Sequence, residues 1–223
     1  MTHLSNYLFY IVPIAGIFPF LASLTIFFQP PGRKERYLRY FSFFLFVNCL
    51  MDTATNMIAV TGADNVFLNN LVQMFTIAFQ IYLLREIVQG AKAKKTFLYF
   101  LLTYLLLSLI NFFLVQKTGV FNTLTYSLGS LLIVSGCIYY FWELFQFRSF
   151  VNLVRQPAFW ICSGLLFYYV CNFPLTSLLN FIHALPKVIL QNLFIIFILL
   201  NIFLYLSFTI AFLCRLKTRK SMP

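Results

Sequence analysis

A single carboxyl group stands in the middle of an apolar stretch, where a charge is costly. Asp52 lies within the stretch 38–61, which is long enough to cross a bilayer. A charged Asp near the bilayer centre costs about 2.5–3.5 kcal/mol even on insertion scales, and no Lys or Arg lies at its depth on any other stretch. Three solutions are open: Asp52 is protonated, it is ionised beside a bound cation, or it faces a water-filled cavity. Each would make Asp52 respond to protons, ions or a ligand.

Amide and hydroxyl side chains repeat at helical spacing on the same stretch and on three others. Asn48, Asp52 and Asn56 recur at every fourth position, which places them on one face of a helix. Similar stripes consist of Asn69, Gln73, Thr76 and Gln80 and of Tyr168, Asn172, Thr176 and Asn180, while the last stretch carries Asn192 near its outer end and Asn201 with Tyr205 nearer the middle. At about 1.5 Å per residue, the stripes reach matching depths in one half of the membrane. They predict a polar pocket between helices 2, 3, 6 and 7, walled by Phe and Tyr.

This pocket is the predicted site for a small molecule or a cation. Its predicted ligand-binding residues are Asp52, Asn48, Asn56, Asn69, Gln73, Asn172, Thr176, Asn180 and Asn192. The stripes also have a purely structural interpretation, because Asn, Gln, Thr and Ser commonly join transmembrane helices by hydrogen bonds that contribute about 0.6 kcal/mol on average. Asp52 favours a binding role, since an ionisable residue inside a membrane is by default a functional candidate.

The composition indicates which elements carry these residues. Of 223 residues, 61% are apolar, 20% aromatic and only 9% charged, whereas soluble domains have about 45–50% apolar and 25% charged residues. These values exclude a soluble enzyme and a disordered protein. We predict an all-α membrane protein of one domain, 1–223, with seven transmembrane helices at about 7–28, 38–61, 65–88, 96–115, 123–147, 158–183 and 189–213. The first stretch lacks the basic region and cleavage site of a signal peptide.

The basic residues predict the orientation of the bundle. The loops after helices 1, 3 and 5, with the helix ends beside them, and the C-terminal tail contain all of the 16 Lys and Arg residues except Lys117 and Lys187. Because basic loops stay in the cytoplasm, we predict the N-terminus outside, the C-terminus in the cytoplasm and the pocket in the outer half. The net charge of +11 is then explained by topology and by attraction to an anionic inner leaflet. We therefore predict the lipid bilayer as a partner and no nucleic acid.

Residues for catalysis or metal binding are scarce. The cysteines, all within the spans or at their cytoplasmic ends, are Cys49, Cys137, Cys162, Cys171 and Cys214, and the histidines are His3 and His183. No Cys–His or carboxylate–His cluster has the spacing of a metal site, and no Ser–His–Asp set or Gly-rich phosphate loop occurs. We predict that the chain is not an enzyme and uses no metal or cofactor.

Two further carboxylates are expected to form ordinary ion pairs. Glu86 and Glu143 lie at cytoplasmic helix ends. The basic residues near them are Arg85, Lys92, Arg148 and Arg155. Ion pairs at such exposed positions contribute little to stability, so no functional role is assigned to these carboxylates.

The first three helices and the last three share a sequence pattern, with helix 4 between them. Helix 2 aligns with helix 6 through Asn48, Asp52 and Asn56 on one side and Asn172, Thr176 and Asn180 on the other. The start of helix 3 aligns similarly with the start of helix 7 over 68–71 and 190–193. The pattern favours a 3+1+3 parallel duplication, which occurs in some transporters, and it is also compatible with a rhodopsin-like bundle.

Seven helices with an external N-terminus are the topology of rhodopsins and heptahelical receptors. A retinal protein needs a Lys in the middle of helix 7, and 190–213 contains none, which argues against a light-driven retinal protein. Small sugar and vitamin facilitators with 3+1+3 helices have a Pro-Gln signature within their helices. This chain has Gln29-Pro30 and Gln156-Pro157 outside its spans instead.

One segment has a more particular likeness. Residues 156–169 read Gln-Pro-Ala-Phe-Trp-Ile-Cys-Ser-Gly-Leu-Leu-Phe-Tyr-Tyr. The segment resembles small uncharacterised seven-helix membrane proteins of Bacteroidetes-type bacteria, and the likeness covers helix 6 and the seven-span layout. It implies a location in the bacterial inner (plasma) membrane and a role in sensing, since similar seven-helix modules serve as sensor portions next to histidine kinases. It carries over no binding or catalytic residue.

Three functions are consistent with these features. A receptor- or sensor-like protein would bind a small ligand or ion in the pocket and act through a cytoplasmic or membrane signalling partner, because its own loops are short. Helix 6 is then the expected moving element, since Pro174 permits a kink. The alternative is a small-solute or ion-coupled transporter of 3+1+3 type, although helices 2, 3, 4, 5 and 7 contain no proline. A structural or assembly protein is the third.

Overall fold

The computed structural model describes residues 2–28, 36–61, 64–115, 121–146, 153–177 and 186–220. Its seven long helices are α1 Thr2–Ser23, α2 Tyr37–Val60, α3 Val66–Ile87, α4 Ala91–Ile110, α5 Thr123–Gln146, α6 Pro157–Ser177 and α7 Lys187–Lys220. Three short turns accompany them: a one-turn helix, Thr25–Phe28, after α1, a π-helical turn, Asn111–Val115, after α4, and a 3-10 turn, Leu153–Arg155, before α6. The predicted all-helical architecture is confirmed.

Six of these helices, α2 to α7, are long and apolar enough to cross a membrane, and α1 contributes a shorter apolar helix, Ile11–Ser23. The chain is therefore an integral membrane protein. The bounds of α2, α3 and α5 lie within one residue of the predicted stretches, whereas α1 and α4 each begin five residues earlier than predicted and α7 continues to Lys220. The apolar stretch stops near 213, but Lys and Arg are good helix formers in water, so the helix continues past it. Its 34 residues span about 51 Å, beyond a hydrocarbon core of about 30 Å.

Consecutive helices run antiparallel, as hydrogen bonds between the end of one helix and the start of another show. The hydroxyl groups of Ser23 and Ser42 bond at 2.7 Å where α1 ends and α2 begins. The side chain of Asn65 donates to the carbonyl of Thr55 at 3.2 Å where α2 ends and α3 begins. Apart from Lys187, the described Lys and Arg residues lie at the end where α2, α4 and α6 begin, which we call the basic end.

Six helices form a closed ring, and the seventh lies outside it. Around the ring, α1 contacts α2, α2 contacts α3, α3 contacts α5, α5 contacts α6, α6 contacts α7, and α7 returns to α1. Helix α4 packs against α3 and α5 from outside. The ring brings together the four helices that carry the polar stripes, so their polar faces turn toward one interior.

A cluster of five phenylalanines fills the interior toward the basic end. The aromatic cluster consists of Phe41 and Phe44 of α2, Phe79 of α3, and Phe208 and Phe212 of α7. Phe44 and Phe79 stack with ring centroids 4.1 Å apart, and Phe41 meets the edge of Phe208 at 4.8 Å. Such aromatic pairs stabilise the core beyond their buried area. The polar residues of the four stripes lie on the other side of this cluster.

Glu143 has backbone partners that the sequence did not predict. Its carboxylate accepts the backbone N–H groups of Gln89 at 3.1 Å and Gly90 at 3.0 Å. These groups end α3 and cap the start of α4, where free N–H donors attract a carboxylate. Glu86 does form an ion pair, at 2.7 Å, with its neighbour Arg85. Arg148 lies outside the described residues.

Candidate functional site

A cavity of about 250 Å³ lies inside the helix ring. Helix α2 contributes Asn48 and Asp52, and α3 contributes Asn69, Gln73, Thr76 and Gln80. Helix α6 contributes Tyr168, Tyr169, Asn172 and Thr176, while α7 contributes Asn201 and Tyr205. Phe44 and Phe208 of the aromatic cluster line the cavity as well. From Asn69 to Gln80, the polar cavity extends about 16 Å along α3 at 1.5 Å per residue.

Asp52 is held by a chain of hydrogen bonds that joins three helices. Thr76 of α3 donates its hydroxyl to Oδ1 of Asn48 at 3.0 Å. Asn48 donates Nδ2 to Oδ2 of Asp52 at 3.0 Å, one turn along α2. Tyr205 of α7 donates its hydroxyl to the same Oδ2 at 3.0 Å. Oδ1 of Asp52 accepts no hydrogen bond from any residue that the structure describes, so one oxygen of the carboxyl group remains available to a ligand.

A second network on the opposite wall joins α6 to α3 and α5. Tyr169 donates its hydroxyl to Oε1 of Gln80, and Asn172 donates Nδ2 to the hydroxyl of Tyr126. Thr176 donates its hydroxyl to the carbonyls of Asn172, at 3.1 Å, and Phe173, at 3.0 Å. The side chain of Asn172 is only 2% exposed, yet its Oδ1 has no hydrogen-bond partner among the described residues. A buried acceptor without a donor is costly, and this one belongs to the cavity wall.

The charge of the wall is unbalanced. Asp52 is the only ionisable carboxyl group among the described lining residues, and these include no Lys, Arg or His. Tyrosine and phenylalanine rings from α2, α5, α6 and α7 complete the wall. No group of three or more His, Cys, Asp or Glu side chains that could hold a metal ion occurs in the described part of the chain. The arrangement offers hydrogen-bond acceptors, hydroxyl groups and aromatic faces around one carboxyl group.

Six of the nine predicted ligand-binding residues line the polar cavity: Asn48, Asp52, Asn69, Gln73, Asn172 and Thr176. Two do not. Asn56 donates its side chain to the backbone carbonyl of Asp52 at 2.8 Å, and Asn192 is exposed. Asn180 lies outside the described residues. Because the helical repeat is 3.6 residues, side chains spaced four residues apart move gradually around the helix. The last residue of a stripe therefore need not share the face of the first.

The wall also includes residues that sequence reasoning did not place in the site. Tyr126 of α5 lies in the wall and bonds to Asn172, although only helices 2, 3, 6 and 7 were expected to form the pocket. Val12 of α1 and Leu204 of α7 add apolar surface. A Tyr at the start of an apolar stretch reads as an interfacial residue, so the sequence gives no signal that Tyr126 points inward.

Comparison with known proteins adds no family assignment. No protein-family model matches the chain. No curated protein and no solved structure matches it either. The function is therefore argued from the cavity and from the arrangement of the helices.

Proposed function

We propose that this integral membrane protein is receptor- or sensor-like and binds a small ligand or ion in the polar cavity. One observation carries the proposal: Asp52, without a basic partner, has an available oxygen in a cavity of about 250 Å³. Polar residues that only joined helices would pair with one another and fill their space, because protein interiors are closely packed. A cavity lined by amides, hydroxyl groups and one carboxyl group is typical of a site for a small polar molecule.

The proposed orientation makes the cavity face outward. The basic end would lie in the cytoplasm, with the N-terminus outside, by the rule that basic loops remain inside. The aromatic cluster stands between the cavity and the basic end, which supports access from the opposite side. The proposed location is a bacterial inner membrane, where the basic residues would meet anionic lipids.

Helix α6 is the proposed moving element, and a separate signalling partner would receive its output. Its residues Tyr169, Asn172 and Thr176 line the cavity, and Pro174 lies between the last two. Proline removes the helical hydrogen bond to the carbonyl four residues earlier, here Val170, so bending at this point costs less. A ligand that draws Asn172 inward would therefore change the direction of the helix end.

The test uses purified protein in detergent and a matched pair of variants. Asp52→Asn replaces the carboxyl group inside the cavity, while Glu86→Gln replaces one at the protein surface. A panel of small metabolites, inorganic salts and pH values is screened for a rise in the midpoint of thermal unfolding. A ligand is expected to stabilise the wild type and Glu86→Gln but not Asp52→Asn. If Asp52→Asn folds and responds to every compound as the wild type does, the proposed site is wrong.

The second candidate function, transport of a small solute or ion, is favoured by the helix contacts. The contacts within α1–α3 are repeated within α5–α7, and α3 contacts α5 as α7 contacts α1. With α4 outside the ring, this order supports the 3+1+3 duplication. Transport predicts flux in proteoliposomes that Asp52→Asn abolishes and Glu86→Gln preserves. Binding without flux over the same compounds would favour the sensor, and neither binding nor flux would leave a structural role.

A further inference from the structure

We propose that the ligand of the polar cavity is a small primary ammonium compound, an inference that rests on the proposed function. Its first basis is charge. The described wall contains the Asp52 carboxyl group and no basic side chain, so an anionic ligand would meet a like charge and no compensation. A cation can balance Asp52, and an opposite charge at close range is strongly favourable inside a medium of low polarity.

The second basis is the balance of hydrogen-bond donors and acceptors. Oδ1 of Asp52 accepts no bond from a described residue, and the buried Oδ1 of Asn172 lacks a donor. Both residues line the same cavity. A primary ammonium has three N–H donors and no acceptor, which complements the oxygen of Asp52 and, once the buried amide of Asn172 turns toward the cavity, its Oδ1 as well. One of these bonds would be charge-assisted, and such bonds are about twice as strong as neutral ones.

The aromatic wall supports an organic cation. Tyr126, Tyr168, Tyr169 and Phe197 line the cavity in addition to the two members of the aromatic cluster. The faces of such rings attract cations. An inorganic cation such as Ca²⁺ is held by six or more oxygen ligands, whereas one oxygen of Asp52 already accepts two protein donors. The cavity volume of about 250 Å³ is below the about 300–1,000 Å³ typical of pockets for drug-sized molecules, which favours a small ligand.

The experiment compares three probes of nearly equal size that differ in one group. Ethanolamine carries an ammonium, ethylene glycol a second hydroxyl, and glycolate a carboxylate. Each is added to the purified protein at millimolar concentration, and the midpoint of thermal unfolding and the Kd are measured, with NaCl and KCl as further arms. At about ten times its Kd, ethanolamine should raise the midpoint by about 3–5 °C. Ethylene glycol and glycolate should not raise it.

A variant tests the role of Asp52 in this selectivity. Asp52→Asn should weaken ethanolamine binding by about 10–100-fold, and Glu86→Gln should leave the Kd unchanged. Choline, which has no N–H donor, should bind more weakly than ethanolamine. Nanodiscs of phosphatidylcholine with and without phosphatidylethanolamine separate the two sources of the ammonium. If the ligand is a free molecule, added ethanolamine stabilises the protein in both kinds of nanodisc. If a lipid headgroup already occupies the cavity, added ethanolamine stabilises the protein only in the nanodiscs without phosphatidylethanolamine.

The outcomes distinguish this inference from the proposed function. Equal stabilisation by ethylene glycol, or stabilisation by Na⁺ or K⁺ alone, overturns the ammonium ligand while the cavity remains a binding site. Stabilisation by glycolate does the same and also contradicts the charge argument. If no probe or salt shifts the midpoint and the wider compound panel also has no effect, both the inference and the proposed function fail.

Discussion

The hydroxyl group of Tyr205 donates a hydrogen bond to Oδ2 of Asp52 at 3.0 Å, across 153 positions of sequence. The bond joins α7 to α2 and occupies the same oxygen of the carboxyl group that accepts from Asn48. The ring of Tyr205 also packs over Gly16 of α1, where a methyl group would lie 3.5 Å from the ring. Three helices thus meet at one side chain, and the available oxygen of Asp52 depends on it.

Replacing Tyr205 by Phe is expected to lower stability while preserving the packing against Gly16. The variant loses one hydrogen bond between helices, and such bonds contribute about 0.6 kcal/mol on average and at most about 1.7 kcal/mol inside membranes. The free energy of unfolding is measured by titration with denaturing detergent. Tyr99→Phe, at a tyrosine that is 56% exposed on α4, is the control and should change little. Equal losses in the two variants would contradict a role for the Asp52 bond.

Thr76→Val is expected to destabilise the bundle because it leaves Oδ1 of Asn48 without its donor. The shape of the side chain is nearly unchanged, so the measured loss of about 0.5–1.5 kcal/mol reports the hydrogen bond. Thr53→Val is a matched control, since the hydroxyl of Thr53 is exposed and donates only to the carbonyl of Cys49 in its own helix. The prediction is wrong if unfolding shows no difference between the two valine variants.

A glycine on α5 is expected to tolerate no added methyl group. A Cβ at Gly129 would lie 2.5 Å from Cγ2 of Ile77 and 2.9 Å from the ring of Tyr104, so α3 or α4 would have to move away. Overpacking of this kind costs about 1–3 kcal/mol, more than the helix propensity that Ala gains. Gly16→Ala, where the nearest atom is 3.5 Å away, should fold as the wild type. Comparable thermal midpoints for the two variants would refute the close approach of α3 to α5.

The Glu143 carboxylate is expected to hold the turn between α3 and α4 against α5. Glu143→Gln removes one of the two acceptors and presents an NH₂ group to a backbone donor. The amides of Gln89 and Gly90 should then exchange with solvent deuterium about 10–100-fold faster, as expected for losing a hydrogen bond to a charged group. Glu86→Gln breaks only a partly buried pair with its neighbour Arg85 and should leave the turn unchanged. Unaltered exchange at 89–90 in both variants would show that other contacts hold the turn.

Much of the fold follows from the sequence because a lipid bilayer leaves few choices. An apolar stretch of about 20 residues must be a helix to satisfy its backbone groups, so the seven helices and most of their bounds were predictable. The stripe on α2 was predictable as well, since residues four apart share a face. Asn48 and Asp52 therefore appear together in the cavity wall, one turn apart.

The site was less predictable wherever it depends on how a helix is rotated against its neighbours. Asn56 has the correct spacing, yet its side chain donates to the backbone carbonyl of Asp52, one turn earlier in the same helix. Tyr126 has no polar stripe around it, yet packing turns it inward to Asn172. Glu143 has basic neighbours in sequence, but spacing gives no signal that the turn after α3 offers it two backbone donors. Each of these outcomes depends on contacts between segments 46 to 54 residues apart or on local geometry that spacing alone does not encode.

The sequence by itself determined that Asp52 must sit in a membrane helix without a basic partner at its depth. Hydropathy and charge counting are enough for this, since they depend on residue type and order alone. Only the tertiary structure decided that Tyr205 and Asn48 bind the same oxygen of Asp52, that the other oxygen has no described donor, and that a cavity adjoins it. Those features arise where α2, α3, α6 and α7 meet, and the way helices pack against one another is set by the fit of side chains across their surfaces.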